Sequence, residues 1–289
     1  MEKVSIAIIG GSGLYDMAMI SDKTTVNIFT PYGVPSSEIG IGTLRGKRVA
    51  FLSRHGRGHV LTPSTIPYRA NIHALKQLGV KFVIALSACG SLREDYAPSH
   101  IVIPDQLVDF TKGLRDRTFF EQGFVAHVGV ADPFCPQLSK ICYDAVVKTG
   151  ATVHDTGTYI TIEGPRFSTK AESNIYRQWG CSIIGMTTSP EAFLAREAEM
   201  SYCVMAHITD YDVWHETEAP VSVELVVKTF EHNLRVAQEA LANAVDAIDE
   251  HADYPAHHAL ANAFATPANR LSPELHQKLA PIIGKYFHA

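Results

Sequence analysis

Cys203-Val-Met-Ala-His-Ile-Thr-Asp-Tyr-Asp212 is the end of an apolar run, Tyr202 to Ile208, that stops abruptly at two carboxylates one residue apart. A short apolar run with β-branched members predicts a strand buried on both faces. In open α/β sheets ligands bind beyond the carboxyl ends of such strands. Strand side chains alternate, so continued extension would aim Asp210 and Asp212 the same way, toward the rim of a crevice. An Asp-rich turn capping the next helix fits the spacing equally well. The choice between the two depends on what the neighbouring runs deliver.

Working outward, the same pattern recurs. Lys81–Leu86 predicts a buried strand that empties into Ser87-Ala-Cys-Gly-Ser91, and Cys181–Gly185 a strand that empties into Met186-Thr-Thr-Ser-Pro-Glu191. There Ser189 suits a helix cap and Pro190 the first helical turn. Gly157–Ile162 leads into Glu163-Gly-Pro-Arg-Phe-Ser-Thr169, and Thr169 with Glu172 forms a capping-box pattern that starts a helix. Phe167 and Ser168 then sit at a loop-to-helix junction, where an aromatic face and a hydroxyl suit a flat heterocycle. Lys47–Leu52 delivers Ser53-Arg-His-Gly-Arg-Gly-His59. Arg54 offers a planar fork matched to phosphate oxygens, and His55 a further donor if protonated. A surface ion pair and ordinary loop polarity are the alternatives for these residues. His55 and His59 lack a third partner for a metal. Val4–Ile9 runs into Gly10-Gly-Ser-Gly13, whose N–H groups and Ser12 hydroxyl can form an anion nest. That turn has neither the dinucleotide nor the Walker spacing.

Helices are expected over Arg69–Leu78, Gln137–Gly150 and Val221–Glu250, with a short strand at Ile101–Pro104. The stretch from Thr111 to Pro136 is a long polar loop, a length commonly functional or interfacial, and His127 in it reads by default as a solvated histidine. After a Pro/His-rich break the tail predicts two short amphipathic helices. Alternating strands and helices, with strand ends rich in Gly, Ser, Thr, Arg and Asp, predict one α/β domain on a mixed, largely parallel sheet with a composite site. That site should take an anion and, beside it, a group carrying donors or basic nitrogens.

Composition narrows the classes. The 289 residues are 46% hydrophobic, enough for a full core. A net charge of -5 and the lack of any Lys/Arg block argue against nucleic acid. No apolar run reaches the roughly 18 residues of a membrane span, and no secretory leader is legible before the first strand. Cys89, Cys135, Cys142, Cys181 and Cys203 are odd in number and scattered, which fits buried thiols in a reducing cytoplasm better than disulfides or zinc.

The blocks Ile9-Gly-Gly-Ser-Gly-Leu14, Ser53-Arg-His-Gly56, Ser87-Ala-Cys-Gly-Ser-Leu-Arg93, Ile162-Glu-Gly-Pro-Arg-Phe-Ser168, Gly185-Met-Thr-Thr-Ser-Pro-Glu191 and Thr209-Asp-Tyr-Asp212 resemble, in order, those of the trimeric purine nucleoside phosphorylases. The resemblance spans roughly residues 4 to 246. It implies a single α/β domain around a mixed twisted sheet, with residues 251–289 as a C-terminal helical extension of the domain formed by 1–250. It implies a homotrimer with sites at subunit interfaces. The reaction is phosphorolysis, in which phosphate attacks C1′ of a nucleoside and releases the purine without any metal or organic cofactor. Residue by residue, it puts phosphate against Ser12, Arg54, His55, Ser87, the Ala88 backbone and Thr187. Met186 meets the ribose, Phe167 stacks near the base, Asp210 lies at N7 and Asp212 near the 6-amino group. His127 reaches the 5′ group from a neighbouring subunit, with Val223 and Val226 lining that pocket and the tail near Leu271 closing over it.

Relatives in that family that prefer 6-oxopurines carry Glu where Ser168 stands and Asn where Asp210 stands. Ser168 can donate to N1 of a 6-aminopurine, and the Asp pair can accept from N6. A buried mismatch would cost about 1–3 kcal/mol per unpaired group. Where 5′-hydroxyl nucleosides are preferred, the family places a histidine at the position of Val223. A valine packs instead on a methylthio group, whose burial contributes about 1–2 kcal/mol. The expected substrate is 5′-methylthioadenosine. The alternatives are adenosine and the 6-oxopurine nucleosides, 5′-methylthioinosine included.

Overall fold

The computed structural model describes residues 3–11, 17–121, 123–216 and 222–287. In chain order it runs β1 (Ile6–Gly10), β2 (Ser21–Val26), β3 (Ile39–Leu44), β4 (Lys47–Ser53), α1 (Tyr68–Gln77), β5 (Phe82–Ser91), β6 (Ile101–Val102), β7 (Gln106–Phe110) and α2 (Pro136–Val147). It continues with β8 (Val153–His154), β9 (Thr158–Ile162), α3 (Lys170–Gln178), β10 (Ile183–Gly185), α4 (Thr188–Glu197), β11 (Ser201–Asp210), α5 (Val223–Ala247) and α6 (Pro273–Ile283). All 11 strands join one mixed sheet, ordered β2-β3-β4-β1-β5-β10-β9-β7, with β11 on β5 and the short β6 and β8 beyond it.

Alternation along the central strands builds a core on each face. Ile6 and Ile8 of β1, Phe82 and Ile84 of β5, and Cys203 and Met205 of β11 pack with Leu138 and Cys142 of α2 and Leu241 and Val245 of α5. Ala7 and Ile9, Val83 and Ala85, and Val204 and Ala206 face the other way, onto Leu75 of α1, Leu194 of α4 and Leu279 and Ile282 of α6. Being covered on both faces is why β5 and β11 read as continuous apolar runs. The tail differs from expectation: one helix, α6, follows two short 3-10 turns at Pro255–His258 and Ala268–Arg270. Pro267 and Pro273 bracket the second of those turns and leave it too little chain for a full helix. Among the described residues no helix is long and apolar enough to cross a membrane.

The feature that positions the site is a change of partner along β5. Its first half pairs in parallel with β1, Ile6↔Phe82 through Ile9↔Ala85. Its end pairs antiparallel with β10, Ile184↔Gly90 and Ile183↔Ser91. On the opposite edge it pairs with β11 almost throughout. Between Ala85 and Gly90 neither β1 nor β10 lies alongside, so the sheet opens a slot at Leu86–Cys89. The predicted strand ended at Leu86, but β10 takes up the pairing and carries it to Ser91.

Candidate active site

Arg54, at the end of β4, fills the near side of this slot. Its backbone N–H donates to Gly10 O at 2.9 Å, which holds the glycine turn beside it. Nη1 donates to Leu86 O at 2.9 Å, taking a carbonyl on the open edge of β5. By alternation along the strand, the Ala88 backbone points to the same edge. The side chain is almost wholly buried, and its Nε and Nη2 form a fork onto Glu191 Oε2 and Oε1 at 2.7 and 2.8 Å. Tyr202 Oη donates to the same Glu191 Oε1 at 2.7 Å. A guanidinium has five N–H groups. Three are committed here, which leaves one on each terminal nitrogen for an anion.

His55 differs from expectation. Its Nδ1 lies 2.8 Å from Leu61 O, an atom that only accepts, so Nδ1 carries the proton. Burial, with the Arg54 charge and the stacked His59 ring 4.1 Å away adding to it, lowers its pKa to about 4. At neutral pH the ring is therefore uncharged, and Nε2 is an acceptor rather than a second donor. Ser87 Oγ sits in the slot 3.1 Å from Tyr159 Oη, and Cys89 Sγ donates to that phenol oxygen at 3.4 Å. Thr187 is buried at the entrance to α4. Ser189 takes the extended conformation expected of a cap (φ -98°, ψ 132°), although its hydroxyl makes no capping bond. Ser12 lies outside the described residues.

The two aspartates close the far end of the slot. Extension does not persist through them. The pairing of β11 with β5 shifts register between Ile208 and Asp210, and Asp212 has φ +52°. The chain folds back, so Asp212 N–H donates to Asp210 Oδ1 at 2.7 Å while Thr209 Oγ1 donates to Oδ2 at 2.7 Å. Gly90 makes room: a Cβ there would lie 3.0 Å from Asp210 Oδ1 and 3.2 Å from Asp212 Cβ. Burial pushes the Asp210 carboxyl up to about 6. The Thr209 and Asp212 hydrogen bonds pull against that rise, and the Asp212 charge adds a small increment. Asp212 is raised as well, chiefly by burial. Its Oδ2, Ser168 Oγ and Ser173 Oγ are buried together and none makes a well-formed hydrogen bond, although both hydroxyls lie close enough to the Asp212 carboxyl to hold its rise in check. Buried polar atoms are nearly always well paired, so this loosely paired cluster beside Asp210 has capacity left for a polar ligand. Thr169 caps α3 through the full capping box and fixes Ser168 immediately ahead of it.

Arg115, in the long loop, ties the nucleoside-side loops together. It is buried and donates to Met186 O and Ser189 O at 2.7 Å each from Nη1, and to Glu163 O at 2.7 Å from Nη2. Phe167 and Met186, both half-buried, thus stand on loops anchored by one guanidinium. His127 is exposed, its N–H donating to Ala263 O at 2.7 Å, and the adjacent Ala126 pairs with Phe264 in a β-bridge. Val223, the first residue of α5, is 68% exposed, while Val226 is half-buried. Glu191, Tyr202, Tyr159, Ser173 and Arg115 were not singled out from the sequence. Glu191 stands in a quoted block, directly after Pro190, but the partner that gives it meaning is 137 residues away.

The sequence model of the Phosphorylase superfamily matches residues 5–250. The chain is 52% identical over 287 residues to the S-methyl-5′-thioadenosine phosphorylase of Chloroflexus aurantiacus, covering 99% of this chain and all of that one. It is 50% identical over 286 residues to the enzyme of that name from Geobacter sulfurreducens, with the same coverage. This chain belongs to the S-methyl-5′-thioadenosine phosphorylases of the phosphorylase superfamily. Solved members of the family share its fold. The crystal structure of a methylthioadenosine phosphorylase from an Antarctic soil metagenomic library superposes with a TM-score of 0.93 at 48% identity, covering 98% of this chain and 99% of that one. Methylthioadenosine phosphorylase from Schistosoma mansoni, in complex with adenine, superposes with a TM-score of 0.85 at 35% identity, covering 91% and 99%. The mixed sheet expected from the strand ends is the family's own.

Proposed function

We propose that this protein catalyses the phosphorolysis of 5′-methylthioadenosine to adenine and 5-methylthioribose-1-phosphate. The observation that carries the proposal is the polarity of the loosely paired buried atoms around Asp210. Adenine offers a two-proton donor at N6 and acceptors at N1 and N7. Asp212 Oδ2 can accept from N6, the Ser168 hydroxyl can donate to N1, and a protonated Asp210 can donate to N7. A 6-oxopurine would set its O6 against Asp212 and leave both unsatisfied, at a cost of about 1–3 kcal/mol each. The names carried by relatives about half identical over their full length point the same way.

Phosphate would lie in the slot against the two free N–H groups of Arg54, with Ser87, the Ala88 N–H, Thr187 and Ser12 as further donors and the neutral His55 ring accepting a P–OH proton through Nε2. As the glycosidic bond breaks, the ribosyl centre gains positive charge and phosphate beneath C1′ stabilises it before attacking. The departing purine gains negative charge, which a proton from Asp210 to N7 neutralises. An acid with pKa near 6 retains a protonated fraction at neutral pH and still transfers readily. Phosphate is the second substrate, and no step calls for a metal or organic cofactor.

The homotrimer supplies the 5′ pocket in this reading. Val223 is an apolar residue left largely uncovered in the single chain, and the exposed His127 loop, bridged to the tail at Phe264, is suited to cover it from a neighbouring subunit. The five cysteines are all buried free thiols, in keeping with the reducing cytoplasm and a salvage role for both products.

The test is purine release from 5′-methylthioadenosine, adenosine, 5′-methylthioinosine and inosine, each with and without phosphate. Phosphate-dependent adenine release, fastest from 5′-methylthioadenosine, is the expected result. Faster turnover of the 6-oxo substrates would overturn the base-site reading, and release without phosphate would overturn the anion slot.

A further inference from the structure

The charge of Arg54 is already matched within the chain. The carboxylate of Glu191, buried in α4, receives Nε at 2.7 Å and Nη2 at 2.8 Å. Both side chains are almost fully excluded from solvent. A buried ion pair gains little over a well-packed apolar pair of the same size, because desolvating both charges offsets their attraction. Fold stability is therefore a weak reason for this pair. What the carboxylate does achieve is orientation. A fork-on-fork contact fixes the guanidinium plane, Leu86 O takes a third N–H at 2.9 Å, and the last two N–H groups have only the slot to face. Glu191 is itself held by Tyr202 Oη at 2.7 Å, and the Tyr202 ring stacks on Phe134 in the core. The chain of support runs from β11 through α4 to the end of β4.

We propose that Glu191 is the positioning residue of the phosphate site, aiming Arg54 at phosphate, with Tyr202 fixing Glu191 in turn. The proposal rests on the reading that Arg54 binds phosphate. Because Glu191 balances the Arg54 charge, binding is governed by the direction of the two N–H groups more than by net charge. Misorientation should then weaken phosphate selectively and leave the nucleoside side untouched.

Glu191→Gln is nearly isosteric but turns an amide NH2 toward one arm of the guanidinium, so one of the two parallel bonds becomes a clash of donors. The expected result is a rise of about tenfold or more in the KM for phosphate, with the KM for 5′-methylthioadenosine unchanged within about twofold and kcat at saturating phosphate largely kept. Tyr202→Phe removes one donor to Glu191 while leaving the ring in the core, and should raise the phosphate KM by about threefold. A merely structural pair would lower the melting temperature and leave both KM values alone. An unchanged or lowered phosphate KM in Glu191→Gln overturns the proposal. Should that variant not fold, an unchanged phosphate KM in Tyr202→Phe overturns it instead. Arg54→Ala is measured alongside. If its phosphate KM is also unchanged, the phosphate site itself has been misplaced; if it rises while Glu191→Gln stays normal, only the role of Glu191 fails.

Discussion

Asp210, as the proposed general acid, would work for catalysis and against the fold. Its carboxyl titrates near 6 instead of at 3.8, mainly because it is buried. With a folded pKa above the unfolded one, its contribution to stability is fully present below about pH 4 and is lost as pH rises through about 6. Above that, the native state carries a penalty on the order of 3 kcal/mol for holding the charge. Asp210→Asn keeps an oxygen for the Asp212 N–H and removes the charge. At pH 8 this variant is expected to melt a few degrees above the parent, and at pH 4 the gap should shrink toward zero. Turnover should move the other way. With the general acid gone, kcat for 5′-methylthioadenosine is expected to fall about 100-fold or more. The parent's decline in kcat above about pH 6, measured at saturating phosphate, should be missing from the variant. Near-full turnover in Asp210→Asn would remove Asp210 from the mechanism, and a variant melting below the parent at pH 8 would mean that the buried charge is better compensated than its surroundings suggest.

At the scale of elements, the site depends on close approaches between strands. Tyr159 of β9 reaches across to Ser87 and Cys89, and it does so over Gly185 of β10, where an added Cβ would fall inside the phenol hydroxyl. Gly185→Ala therefore has to drive Tyr159 off Ser87. The expected consequences are a loss of about 1–3 kcal/mol of stability, a drop of several degrees in Tm, and a severalfold rise in the phosphate KM. A variant with parental Tm and phosphate KM would show that β9 and β10 can separate freely there. Such approaches also mark where reading the sequence stops. The central strands were legible because burial on both faces makes them apolar runs, and the loops proposed to hold phosphate stood out because Gly, Ser and Arg follow those runs directly. The edge strand β2, Ser-Asp-Lys-Thr-Thr-Val, is mostly exposed and polar and carries no such pattern. Arg115 is one of two arginines in a polar loop, and only its five carbonyl and carboxylate acceptors, 47 to 74 residues away, distinguish it from the more exposed Arg117. The aspartates stand at the end of β11, where the apolar run stops, yet their geometry comes from a register shift and a left-handed residue that alternation cannot anticipate.

For the whole molecule, the question is whether one chain holds a complete site. The slot proposed to hold phosphate and the two aspartates lie within a single chain, around the ends of β4, β5 and β11 and the start of α4. The expected 5′ pocket is different: of its two valines at the start of α5, Val223 is 68% exposed and Val226 is half-buried. The His127 loop is fastened to the tail by the Ala126–Phe264 bridge and by packing of Phe120 and Phe124 on Phe264, so loop and tail would move onto a neighbour as one unit. A site shared in this way can be tested by complementation. Asp210→Asn inactivates the subunit that carries it but leaves its His127 loop intact. His127→Glu should place a carboxylate against the methylthio group of the neighbour's substrate, at a cost of about 1–3 kcal/mol, which raises that KM roughly tenfold or more. When the two variants are co-expressed, some interfaces pair an intact Asp210 with an intact His127 from next door. At low 5′-methylthioadenosine the mixed preparation is then expected to exceed the mean of the two parents measured separately. Activity equal to that mean would confine each site to its own chain, leaving Val223 to be covered by a segment of the same subunit.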